Sequence, residues 1–230
     1  MAALVIAAAC SGASGASRTP APPATASPEQ SPTPSPPDLA AFRNFIFPIR
    51  GACLPSSDLL MPNAPRPYRG GIHEGVDFYE SDNCTNIARG TPVVAAKDGV
   101  VIRADLDYHD LTLSELTAAD QRIAAGHAND PDILDLFRGR QVWIDHGHGI
   151  VTRYAHLSGI AGGIQVGAKV LQGETVAFVG ESGTPESLTS PSAEIHLHFE
   201  LRVGDRYLGQ GLPPDEVRQI YKNLFEPLPQ

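Results

Sequence analysis

Between Ser192 and Val203 the chain reads SAEIHLHFELRV, and apolar and polar positions alternate from Ile195 onward. Ile195, Leu197, Phe199 and Leu201 share one side, and His196, His198 and Glu200 share the other. A period of two predicts a half-buried β-strand. The segment TPVVAAKDGVVIRAD (91–105) reads as two strands with Asp98-Gly99 at a hairpin turn. RQVWIDHGHGIVTRYAHL (140–157) repeats the idea with Gly147 and Gly149 in the turn, and AKVLQGETVAFVGESG (168–183) gives a further pair around Gln172-Gly173. The period changes over residues 105–140. There Thr112 precedes Glu115 by three positions, a capping-box signature, and Asp130-Pro131 opens a second helix with proline at its first position. In PPDEVRQIYKNLF, Val217, Ile220, Tyr221 and Leu224 fall at helical spacing, which predicts a C-terminal helix packed on the domain. The expected fold is mainly β: an antiparallel β domain with short connections, a helical insertion and a C-terminal helix.

Composition narrows the picture. With 230 residues and 42% hydrophobic content the chain can build one well-cored domain with room for tails. A net charge of −9 argues against a nucleic-acid partner, which calls for a basic patch. The 105–140 insertion holds eight acidic and three basic residues, so more than half of that charge lies there. Residues 11–41 are almost all Ser, Ala, Thr, Gly and Pro, a composition that buries no core and reads as a tether. The first ten residues, MAALVIAAAC, are apolar and end on small residues before Cys10, which reads as an export signal, either with Cys10 as a lipid acceptor or as an ordinary signal or anchor. Membrane contact is expected only through such an anchor at Cys10. The folded domain is expected over 42–230. In an exported chain the remaining cysteines, Cys53 and Cys84, are most simply a disulfide.

Candidate chemistry sits in the histidines, of which there are eight. On one face of a strand, His196 and His198 have Cα atoms about 6–7 Å apart, so both can reach one small site. HEGVD supplies His73 and Asp77 at i, i+4, on one side of either a strand or a helix. A fully extended segment would hold their Cα atoms roughly 13 Å apart, so sharing an ion needs a bend, which Gly75 permits. DHGHG also contains a His-x-His pair, His146 and His148, but each is followed by glycine at an expected hairpin tip, which points to a structural or surface role. His156, in RYAHLSG, ends a strand and becomes a candidate acid/base group once a metal site lies in the same sheet.

The motifs HEGVD, GTPVVAAKDGVVI, YAHLSG, GETVAFVGESG and IHLHFEL occur in that order over roughly residues 70–205, the insertion apart. In this order they resemble the LytM/lysostaphin-type zinc endopeptidases, peptidoglycan hydrolases built on an antiparallel β-sheet. The resemblance implies that His73, Asp77 and His198 bind zinc and that His156 and His196 are catalytic. Three protein ligands leave a coordination position open for a metal-activated water, the arrangement of a catalytic zinc. The expected function is therefore an exported zinc endopeptidase acting on peptidoglycan stem peptides or cross-links. The alternative is a family member without activity that regulates other wall hydrolases.

Overall fold

A computed structural model describes residues 42–225, the side chain of Ser81 apart. The expected export signal, the tether and Cys10 lie outside the described residues. In chain order the strands are β1 (Pro65–Arg66), β2 (Gly71–Ile72), β3 (Val76–Tyr79), β4 (Pro92–Val94) and β5 (Gly99–Ala104). Two helices follow, α1 (Leu113–Ala124) and α2 (Pro131–Arg138). Then come β6 (Val142–Asp145), β7 (Ile150–Ala155), β8 (Leu157–Ile160), β9 (Lys169–Val170) and β10 (Thr175–Val179). The described residues close with a short helix α3 (Glu186–Thr189), β11 (His196–Val203), β12 (Arg206–Tyr207) and α4 (Pro214–Phe225).

The larger sheet runs β12-β11-β7-β6-β5-β9, with β3 also paired to β11, and a three-stranded sheet runs β4-β10-β8. Every pairing is antiparallel. Val76, Phe78, Val101, Ile144, Tyr154, Leu197, Phe199 and Leu201 of the larger sheet share one core cluster with Val93, Val176 and Val179 of the smaller. α4 joins that cluster through Val217, Tyr221, Leu224 and Phe225, and Phe225 stacks on Phe47 at 4.3 Å between ring centroids. Ile220 is only half-buried, and Phe225 takes part in its place.

Three expectations need correction. β4 and β5 do not form the hairpin expected at Asp98-Gly99, because they lie in different sheets. Between them the chain crosses from one sheet to the other through the buried residues Ala95 and Ala96. The pair expected around Gln172-Gly173 parts in the same way: β9 joins β5, whereas β10 lies between β4 and β8. In both cases a true turn signal marks a reversal that hands the chain to the facing sheet. Only β6–β7 forms the hairpin read from sequence, with His146–Gly149 as its turn. The third correction concerns β11, which was expected to be half-buried. Its residues from His196 to Leu201 are buried on both faces. The histidine face looks onto an internal site instead of solvent.

The insertion forms as its caps predict. The Thr112 hydroxyl accepts from the Glu115 amide while the Glu115 carboxylate accepts from the Thr112 amide, and Pro131 starts α2. At its exit, Arg140 donates from its guanidinium to the Leu157 and Ser158 carbonyls of β8.

Cys53 and Cys84 are bonded, with Cα atoms 5.6 Å apart and a sequence separation of 31. The loop they close carries both His73 and Asp77. In the chain-entropy account a crosslink of this span stabilises by roughly 3–4 kcal/mol. The double replacement Cys53→Ser with Cys84→Ser is expected to lose about that much, read as a lower urea midpoint.

Candidate metal centre

Strand register assembles the site. β11 is held on one side by β3, with His198 opposite Asp77 and His196 opposite Tyr79. On its other side β7 pairs His198 with Ala155, which leaves His156 just past the end of the ladder. His156 has φ 59°, a left-handed backbone that turns the chain from β7 into β8 and aims the ring back at β11. Its ring centroid lies 4.5 Å from that of His196 and 5.8 Å from that of His198.

His73 follows β2, and the bend expected at Gly75 is present. Gly75 is required by close approach. A Cβ there would sit 2.4 Å from the Phe199 carbonyl oxygen and 2.9 Å from Cε1 of His198. Gly75→Ala is accordingly expected to push β3 away from β11, costing about 1–3 kcal/mol by overpacking. It should also weaken metal retention, as read by thermal unfolding with and without added zinc.

His73 Nε2, Asp77 Oδ1 and His198 Nδ1 meet at one point. The separations are 2.9 Å from His73 to Asp77, 2.8 Å from His198 to Asp77 and 3.1 Å between the two imidazoles. These three residues are buried and present one ligand atom each within a common small space. Each outer nitrogen is already committed. His73 Nδ1 donates to the Met61 carbonyl at 3.0 Å, and His198 Nε2 donates to the Glu200 carboxylate at 3.1 Å. Two imidazole lone pairs and one carboxylate oxygen are thus left converging. Such a set suits zinc: tetrahedral bonds of about 2.0–2.1 Å place ligand atoms about 3.3 Å apart, slightly wider than the triangle seen here. The donors fit the ion, and the pattern of a histidine backed by a carboxylate or carbonyl recurs at metal centres.

The remaining oxygen of Asp77 is pinned from outside. Arg66 of β1 donates to Oδ2 at 2.8 Å and to the Leu59 carbonyl at 2.9 Å. Asp77 therefore turns a single oxygen toward the ion position. Behind His198, Glu200 is fully buried. Arg138 Nε binds its Oε1 at 2.6 Å, while Arg202 and Arg153 approach Oε2 at 3.1 and 3.4 Å.

His196 is buried and His156 half-buried, and their rings face each other and His198. His156 Nδ1 donates to the Ser182 carbonyl at 2.9 Å and His196 Nδ1 to the Glu194 carbonyl at 2.7 Å. A carbonyl accepts only, so each neutral ring keeps its lone pair on Nε2. Tyr79 stacks flat on His196 at 4.3 Å and donates its hydroxyl to Glu194. Burial pushes the His156 pKa well below the usual histidine range, aided by the charges of His196 and His198. Burial lowers His196 as well, against the pull of Asp77.

His73 is lowered by burial despite its carboxylate neighbour. Burial alone would raise the Asp77 carboxyl, but the charge of His73 and hydrogen bonds from His198 and His73 hold it well below the carboxylate range. In the metal-free protein His198 goes the other way. Burial opposes its charge, yet hydrogen bonds to Asp77 and Glu200 raise it to about 8.

These shifts set the pH dependence of the metal-free protein. A histidine lowered on folding contributes stability above its unfolded value near 6.5 that is lost as pH falls through the folded value. His73, His146, His156 and His196 all belong to this class. His198 contributes below 6.5, and its share is lost as pH rises through about 8. Chelator-treated protein should therefore be most stable near neutrality and weaken steeply on acidification, measurable as urea midpoints between pH 5 and 8.

The structure brings together all five residues singled out from sequence: His73, Asp77, His156, His196 and His198. His146 and His148 lie apart from them in the β6–β7 turn. His146 bonds the Asp98 carbonyl and the Thr152 hydroxyl, each at 2.8 Å, a structural role, while His148 is exposed. Sequence reasoning missed Arg66, Arg138 and Glu200. Only Glu200 had a signal, since it shares a strand face with both histidines.

Comparison with known protein families matches residues 71–210 to peptidase family M23. The DD-carboxypeptidase/endopeptidase Mpg of Neisseria meningitidis serogroup B is 29% identical over 157 residues, covering 67% of this chain and 26% of that protein. The peptidoglycan DD-endopeptidase ShyA of Vibrio cholerae is 31% identical over 142 residues, covering 62% and 23% respectively. The chain thus spans about a quarter of the length of these curated relatives. Among solved structures, a zinc-containing peptidase from Vibrio cholerae is 25% identical with a TM-score of 0.46, covering 74% of this chain and 41% of its own. The catalytic domain of lysostaphin from Staphylococcus simulans is 24% identical with a TM-score of 0.40, covering 64% and 77%.

Proposed function

This chain belongs to peptidase family M23, and on that premise we propose that it is an exported zinc endopeptidase hydrolysing peptide bonds of bacterial peptidoglycan. The observation that carries the reading is the triangle of His73 Nε2, Asp77 Oδ1 and His198 Nδ1 with two further inward-facing imidazoles beside it. Those three residues would hold the ion. A bound zinc acts as a Lewis acid toward water and toward a scissile carbonyl.

The other two histidines supply proton transfer. Their Nδ1 hydrogens are tied to the Ser182 and Glu194 carbonyls, so each offers a free Nε2 lone pair to the same space. Their lowered pKa values keep them neutral and ready to accept a proton near pH 7. With centroids 4.5 Å apart, a charge on one ring disfavours a charge on the other, so the pair carries one proton at a time. That proton is then available to the departing amine. Arg66 keeps Asp77 oriented, and Tyr79 fixes the plane of His196.

The name of the Vibrio cholerae relative ShyA supports peptidoglycan as substrate, and the Cys53–Cys84 bond supports an oxidising, extracytoplasmic setting. Attachment to a membrane through Cys10 belongs to the same reading. All five positions being filled speaks for an active enzyme over a regulator without metal. The test is to incubate zinc-loaded protein with purified peptidoglycan and identify released fragments by mass spectrometry. New peptide termini support the reading, and an intact, zinc-loaded protein that releases none overturns it.

A further inference from the structure

The insertion ends inside the site. We infer that Arg138, the last residue of α2, is a positioning residue for the metal centre, holding Glu200 against His198 and so setting how tightly the ion is retained. The inference rests on the reading of His73, Asp77 and His198 as zinc ligands.

The partners of Glu200 divide between its two oxygens. Glu200 Oε1 receives His198 Nε2 at 3.1 Å and Arg138 Nε at 2.6 Å. Arg202 and Arg153 take the other oxygen, at 3.1 and 3.4 Å. Without Arg138, both remaining arginines draw the carboxylate by Oε2, away from the imidazole. The His198 ring then loses the acceptor that fixes its tautomer with Nδ1 free. Losing such an outer partner typically weakens metal affinity 10–100-fold.

Arg138 also spans to Glu74, the neighbour of His73 in sequence, and that carboxylate is shared with Arg202 at 2.9 Å. Its planar fork thereby bridges the two chain segments that carry the ligands, which a point charge could not do as well. The same residue reaches the acid/base side through its backbone. The Arg138 carbonyl accepts from the His156 amide at 2.9 Å. Two residues on, the Arg140 amide donates to the Ser182 hydroxyl at 2.9 Å, and it is the Ser182 carbonyl that orients the His156 ring. Gly139 makes the approach possible: at φ 65° a Cβ there would sit 2.1 Å from the Ser182 carbonyl oxygen. The insertion is therefore built into the centre at its exit.

The test compares zinc affinity, by competition with a chromogenic chelator, for wild type, Arg138→Ala and Arg103→Ala. Arg103 clamps the insertion through Asp105 and Asp135 without touching Glu200, so it reports mere loosening. Expected is a 10–100-fold weaker zinc dissociation constant for R138A and a change under about threefold for R103A. Equal weakening in both variants, or an R138A protein that binds zinc like wild type, overturns the inference while leaving the proposed function standing. Wild type that binds no zinc overturns the proposed function itself, and the inference with it. A second measurement needs no variant: hydrogen exchange on the intact protein. Zinc is expected to slow exchange in residues 131–138 together with β11, leaving 113–124 unchanged. Protection of β11 with none in 131–138 overturns the inference, as would protection of both helices alike.

Discussion

Replacing His198 by alanine is expected to leave a folded protein that retains no zinc and releases no peptidoglycan fragments, a loss of at least about a thousandfold in rate. Three ligands are the minimum here, and two leave the ion held by one imidazole and one carboxylate whose other oxygen is committed to Arg66. Comparison with His156→Ala gives the result its meaning. His156 sets its ring tilted beside His196 and bonds the Ser182 carbonyl, and none of its atoms belongs to the ligand triangle. That variant should keep a full equivalent of zinc and lose about 10²–10⁴-fold in rate, the usual share of a general acid/base group. Metal content by atomic emission, paired with fragment release, reads both. A H156A protein without zinc, or a H198A protein with full activity, would contradict the assignment of roles.

The second large effect concerns stability. Glu200 is completely buried and faces His198 and the guanidinium groups of Arg138, Arg153 and Arg202. Opposite charges offset the cost of burying each other, and removing one member strands the rest. The carboxyl pKa is accordingly held far below its ordinary range: burial would raise it, but the Arg138 charge and the His198 hydrogen bond prevail. Glu200→Gln keeps the shape and deletes the charge that three arginines compensate. It is expected to cost about 3–5 kcal/mol, a large fraction of the stability of a single domain. Urea denaturation of the metal-free variant measures it. A midpoint equal to wild type would mean that the arginines find other partners.

How far the sequence could be read depended on whether the relevant order was local. The alternation of β11, the capping box at Thr112 and the turn at Gly147 and Gly149 are all settled within a few residues, and each was legible. The bend at Gly75 was legible because the His73–Asp77 spacing demanded it. What failed were the hairpins at Asp98-Gly99 and Gln172-Gly173. A turn signal states that the chain reverses, and the choice of pairing partner is made by packing between sheets. The burial of β11 on both faces was hidden for a related reason, since polar residues facing a site look the same in sequence as polar residues facing water. Assigning the ligand role to His198 and not to His196 rests on family resemblance, because spacing alone treats them as equivalent. Arg138 left no trace: 62 positions separate it from Glu200, and an arginine at the end of a helix has ordinary reasons to be there.

Register has a kinetic consequence. Asp77 and His198 meet across 121 positions of chain, and His73 and His198 across 125. Contacts so distant in sequence form late, after the entropy of closing a long loop has been overcome. In small zinc modules whose ligands are close neighbours along the chain, the ion helps to nucleate folding. Here capture follows assembly, so adding zinc to refolding protein should leave the folding rate unchanged and slow unfolding instead.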